Sequence, residues 1–160
     1  MATLHPIKPF LAKRILVTTD FSAFANTTLP MARALLARGG KMRLLTVVHP
    51  IMGPSLAGPE MAVPVYDPVA TDHAVASARR HLEALAKQVR GVKIELAVLE
   101  GPLTAQAIVR EAKQWKADLV CLSTHGRSAL KRIVFGSVAM KLMTLYPGRV
   151  LLLKPGFGRK

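Results

Sequence analysis

Four small residues at fixed spacing, Ser123, Gly126, Gly136 and Ser137, stand out as able to do chemistry, with Arg127, Lys131 and Arg132 between them. Glycine lets a backbone approach a phosphate closely. Gly136-Ser137 stands where a helix is expected to open, and the free N–H groups and positive dipole end of such a helix attract anions. Lys141 follows one turn into it. The segment therefore has the composition of an anion site, although a plain glycine turn with a serine cap uses the same residues. Asp20, in Thr18-Thr19-Asp20-Phe21-Ser22, is the second candidate. Its carboxylate can accept hydrogen bonds from a ribose hydroxyl or an adenine amino group, or it can cap a helix.

Other chemistries find less support. The chain holds no G-x-x-x-x-G-K-[ST] and no G-x-G-x-x-G after its first strand, which speaks against P-loop and dinucleotide sites. His125 reads as a contact or spacer in its loop. His73 and His81 read as a solvated helix face rather than a metal pair. Cys121 and Trp115 read as core. No paired carboxylates and no nucleophile–His–acid arrangement can be picked out, and zinc-type spacing is absent, so no catalytic residue and no metal ligand is assigned.

These residues need a scaffold. Ile15 to Thr19 is a compact β-branched run, expected as a buried strand. Phe24 to Arg38 has helical spacing, with Gly39-Gly40 as its stop. Pro30 fits only a first turn, so this helix starts nearer Thr27 or is kinked. Met42 to Val48 is the second strand. His49 to Asp72 follows as a proline-rich loop of more than twenty residues, either a lid or dimer arm or a mobile excursion. Thr71 and Asp72 are expected to cap a helix to about Arg90, with Ala74, Ala78, Leu82, Leu85 and Val89 inward. Val92 to Leu99, a helix from Thr104 to Lys116, and Leu119 to Leu122 come next. A helix from Gly136-Ser137 to about Tyr146 and a strand from Val150 to Leu153 complete the order.

Strands alternating with helices predict an α/β chain of a single domain over 1–160: a five-stranded parallel open sheet with helices on both faces. Ligands of such sheets bind beyond the carboxyl ends of the strands, where strand order reverses. That places the loops after the first, second and fourth strands around any site, and the first and last of these carry Asp20 and the segment from Ser123 to Ser137.

Bulk properties set the setting. The chain of 160 residues is 51% hydrophobic, enough for a core without metal or disulfide staples. One cysteine, no leader-like apolar run and no bilayer-length stretch predict a cytoplasmic protein with no membrane partner. Twenty-three Lys and Arg against nine Asp and Glu give a net charge of +14. The basic residues are spread along the chain without a run of five, so charge by itself does not predict a nucleic-acid partner. Association resting on charge alone is expected to vanish in ~200 mM salt.

The chain resembles the universal stress protein family. Its nucleotide motif is G-x-x-G, nine residues, then G-[ST]; Gly126, the nine residues from Arg127 to Phe135, and Gly136-Ser137 match its second half. The likeness runs from about Lys13 to Pro155 and includes Ile15 to Ser22, Leu44 to Val48, Glu100-Gly101-Pro102, Ala117-Asp118-Leu119 and the closing Pro-Gly-x-Val-Leu-Leu strand. The resemblance implies a dimeric, cytosolic stress-response regulator that binds ATP or another adenine nucleotide with Mg²⁺, with at most slow hydrolysis. It implies Asp20 at the adenosine end, Val47 along the adenine, and Gly126, Arg127, Gly136, Ser137 and Val138 around the phosphates. Thr18, Leu122 and Ser123 would complete the wall, and Val150 to Leu153 would pair two copies. Ser123 stands where the family motif has its first glycine, adding a Cβ and a hydroxyl close to the ligand. Two alternatives follow: a nucleotide-free dimeric scaffold, or a weak ATPase or self-phosphorylating protein using Ser123, Thr124 or Ser128.

Overall fold

The computed structural model describes residues 10–54, 63–123 and 136–153. Five strands form a parallel sheet in the order β5-β2-β1-β6-β7. They are β1 (Ala12–Thr18), β2 (Leu36–Val48), β5 (Lys93–Glu100), β6 (Leu119–Ser123) and β7 (Arg149–Leu153). A small antiparallel ribbon, β3 (Met52–Gly53) with β4 (Val65–Tyr66), lies outside that sheet. The helices are α1 (Ala23–Asn26), α2 (Thr28–Ala34), α3 (Pro68–Lys87), α4 (Thr104–Gln114) and α5 (Ser137–Leu145).

Alternation along the buried strands divides the core into two layers. Ile15, Val17, Met42, Leu44 and Cys121 face Leu29 and Ala32 of α2 and Leu82 and Leu85 of α3. Leu16, Leu45, Val120 and Leu122 face Ile108 and Ala112 of α4 and Ala139 and Leu142 of α5. Both faces of the sheet are thus covered, as continuous apolar runs in a parallel sheet require.

Several boundaries differ from expectation. The first helical stretch breaks at Thr27, which leaves Pro30 in the first turn of α2, where its missing N–H costs nothing. That helix ends at Ala34 rather than Arg38, and Gly39-Gly40 lie inside β2 instead of stopping a helix. Ala12 pairs with Leu36 but Arg14 with Lys41, so β2 carries extra residues in a bulge there. The α3 helix begins at Pro68, ahead of Thr71 and Asp72. Asp67 is its cap, the carboxylate accepting from the Ala70 N–H at 2.8 Å. The segment from His49 therefore ends at Asp67 and holds the ribbon. Trp115 caps α4 from a buried position, as a core anchor.

At the amino-terminal end of the sheet Glu95, Glu111 and Asp118 are each held by partners within the fold. Glu95 accepts from Lys41 Nζ at 2.7 Å and from Trp115 Nε1 at 2.9 Å. Arg43 bridges Glu95 and Glu111 and lies 4.7 Å above the Trp115 ring. Asp118 accepts the backbone N–H groups of Lys13 at 2.9 Å and Arg14 at 2.8 Å, tying β1 to the start of β6.

The Lys41 and Arg43 hydrogen bonds hold the Glu95 carboxyl down at about 2, against an ordinary 4.5. The folded value lies below the unfolded one, so this stabilisation is complete above about pH 4.5 and lost as pH falls toward 2. Glu95→Gln should lower the melting temperature at neutral pH and flatten its dependence on pH within that interval. Thermal melts of both proteins across the interval check this; parallel curves would count against it.

Candidate functional site

A cavity of about 650 Å³ opens at the carboxyl ends of β1, β2 and β6. This is where the strand order turns back: the chain moves from β1 outward to β2 and β5, then returns to β6 on the other side of β1. Its volume lies in the range of small-molecule sites. One wall comes from α3, through Ala74, Ser77, Ala78 and His81; the opposite one comes from α4 and α5.

The corner after β1 is a chain of local hydrogen bonds. Asp20 Oδ1 accepts from the Ser22 N–H at 3.1 Å and the Ser22 hydroxyl at 2.7 Å. Ser22 Oγ in turn accepts the Ala25 N–H at 3.1 Å, so Ser22 caps α1 while Asp20 braces the cap. Between them Phe21 has φ 66°, a left-handed conformation uncommon for an aromatic residue and held by its N–H donating to Thr19 Oγ1 at 2.9 Å. Strained residues of this kind cluster at binding sites. The Phe21 ring meets the His81 ring at 5.1 Å between centroids, tilted by 42°.

Across the cavity, Gly136 is the N-cap of α5, and Gly136, Ser137, Val138 and Ala139 line the wall. The first-turn N–H groups of a helix have no partner within it, and its positive dipole end adds attraction for an anion. At the rim, His49 Nε2 and Thr104 Oγ1 lie 3.0 Å apart. No lysine or arginine among the described residues lines the cavity, so any anion there meets backbone dipoles and the imidazoles of His49 and His81.

Of the residues singled out from sequence, Thr18, Asp20, Val47, Leu122, Ser123, Gly136, Ser137 and Val138 all line this one cavity. Gly126 and Arg127 lie outside the described residues, as do His125, Lys131 and Arg132. Cys121 is buried, and burial pushes its thiol up to about 12, which removes it as a nucleophile. Sequence reading missed Phe21, His49, Ser77, His81 and Thr104. His73 and His81 are both exposed, as a solvated helix face requires, and the His81 ring reaches the cavity from that exposed position. Among the described residues no group of three His, Cys, Asp or Glu side chains could hold a metal, and no helix is long and apolar enough to cross a membrane.

A family model described as the universal stress protein family matches residues 12–154. The universal stress protein MJ0531 of Methanocaldococcus jannaschii is 42% identical over 64 residues, 40% of this chain and 37% of that protein. The matched stretch therefore spans little more than a third of that relative's length. A solved universal stress protein family member from Burkholderia pseudomallei is 25% identical, with a TM-score of 0.67 over 92% of this chain and 98% of its own. The solved protein MJ0577 is 24% identical, with a TM-score of 0.71 over 92% of this chain and 96% of its own. A universal stress protein solved in complex with cAMP is 21% identical, with a TM-score of 0.56 over 90% and 98%. The last two likenesses are of fold.

Proposed function

We propose that this chain, which belongs to the universal stress protein family, is a cytoplasmic, dimeric regulator that holds ATP or a related adenine nucleotide in the cavity beside Asp20. The observation that carries this is the pairing of opposite walls. The amino end of α5 offers backbone N–H groups that have no partner within the helix on one side, and Asp20 with Val47 offers acceptors and apolar surface on the other. A nucleotide has that same polarity, anionic at one end and a base with exchangeable protons at the other.

In this reading Thr18, Asp20 and Val47 receive the adenosine, with Leu122 beneath it. Gly136, Ser137 and Val138 hold phosphate oxygens, joined by Gly126 and Arg127. Ser123 supplies a hydroxyl between the two ends. Mg²⁺ fits as counter-charge held chiefly by phosphates and water, a mode that asks for few protein ligands. Binding rather than turnover is the role, because fixed dipoles position phosphates without activating a water. Two copies pair through β7, an edge strand whose Val150 to Leu152 are only half-buried. Cytoplasmic residence rests on Cys121, a buried free thiol.

The test is calorimetric titration of nucleotide-stripped protein with Mg-ATP in ~150 mM salt, alongside AMP, cAMP and GTP. Cyclic AMP belongs in the set because a solved relative holds it. Saturable heat with adenine over guanine is expected. At a hundredfold excess over Kd, stabilisation of about 2.7 kcal/mol should raise the melting temperature by roughly 5–10 °C. No heat and no shift with any nucleotide would replace this reading with a nucleotide-free scaffold, in which Ser123 marks a silent site.

A further inference from the structure

The basic residues are scattered along the sequence, but the fold gathers them. Parallel strands put every strand start at one end of the sheet, and the helices that run back over it finish at that same end. Lys13, Arg38, Lys93 and Arg149 stand at or beside the starts of β1, β2, β5 and β7, and Arg90 and Lys116 follow the ends of α3 and α4. All six are exposed, and none of them forms an ion pair among the described residues. Of the acids at that end, Glu95, Glu111 and Asp118 are already taken up by Lys41, Arg43 and the β1 backbone, and Glu83, exposed near the end of α3, is paired with Arg79. The pole opposite the cavity is therefore a cationic surface whose acidic groups are already paired.

We infer that this amino-terminal pole is a docking surface for the phosphate backbone of a nucleic-acid duplex, read without regard to sequence. Five strands at about 4.8 Å spacing set a row roughly 19 Å long. A duplex carries one charge per about 1.7 Å of axis, so that length opposes about eleven phosphate charges. A duplex fits better than a single strand, since single-strand sites add exposed aromatic rings for base stacking. At this pole Phe10 is 40% exposed, but the Arg149 guanidinium lies 4.6 Å from its ring centroid, on the face a base would stack on. The surface stands apart from the nucleotide reading of the cavity and does not depend on it.

Fluorescence anisotropy of a labelled mixed-sequence 20-base-pair duplex, read across a salt series, tests this. The full chain is compared with Lys13→Glu/Arg90→Glu/Lys93→Glu and with Arg80→Glu/Arg110→Glu/Lys141→Glu, a control of identical net charge altered on the helix flanks. Both variants are first matched to wild type by circular dichroism and melting temperature. The pole variant should lose at least tenfold more affinity than the control and should flatten the slope of log K against log salt by about 2–3. Equal losses in the two variants would mean that net charge alone acts, and would overturn the proposal. So would absence of binding at ~100 mM salt, or capture by phosphatidylserine vesicles that the duplex does not compete away.

Discussion

Gly136→Trp should cost at least a hundredfold in affinity for Mg-ATP, about 2.7 kcal/mol, while the ligand-free protein melts within about 3 °C of wild type. Gly136 is the cap of α5 and lies on the cavity wall. An indole there enters the space facing the first-turn N–H groups, and phosphate oxygens can no longer reach those donors. The helix itself tolerates the change, because residues at the cap take extended backbone angles, and Gly136 has φ −57° and ψ 148°. Titration calorimetry gives the affinity and differential scanning the stability. Undiminished ATP binding in the variant would place the nucleotide somewhere other than this wall.

The second large effect is one of stability. A Cβ built on Gly40 would lie 2.9 Å from the Ala37 carbonyl oxygen, the Lys13 carbonyl oxygen and Leu36 Cδ1. Two of those three atoms are backbone, fixed by the bulge where β2 departs from β1, so the neighbours cannot simply rotate away. Gly40→Ala is expected to cost about 2–3 kcal/mol, overpacking a closed site, and to lower the melting temperature by roughly 4–12 °C. Gly39→Ala is the informative companion. Its φ is +75° but nothing lies within 4 Å of the added atom, so only left-handed strain of about 1 kcal/mol applies. Chemical denaturation of both variants separates close contact from strain; equal losses would mean the bulge yields.

Much of this architecture is visible in the residues themselves, and the exceptions have physical causes. Ile15 to Thr18 and Leu119 to Leu122 read correctly because a strand covered on both faces is a short unbroken apolar run. Gly39-Gly40 misled because glycine marks a helix stop and a strand bulge alike, and only pairing with β1 distinguishes them. The start of α3 was legible in Asp67-Pro68, a cap followed by proline at the first helical position. Asp20 and Ser123 could be assigned to one place because parallel topology leaves a single switch point, whereas Val47, inside a strand, was reached only through the family resemblance. Phe21 and His49 could not, since nothing local announces that a loop residue will turn toward a cavity. The cationic pole was hidden for the same reason: Lys13, Arg90 and Arg149 are far apart in sequence and come to one end of the sheet only through the fold.

Cys121 gives the molecule an internal clock. It sits in the middle of β6, paired with Val17 on one side and Leu151 on the other, with no exposed surface. A thiol reagent must wait for the central strands to part, so alkylation counts sheet openings rather than surface encounters. The single thiol therefore lets one read how often the heart of the protein comes apart, without any residue being engineered.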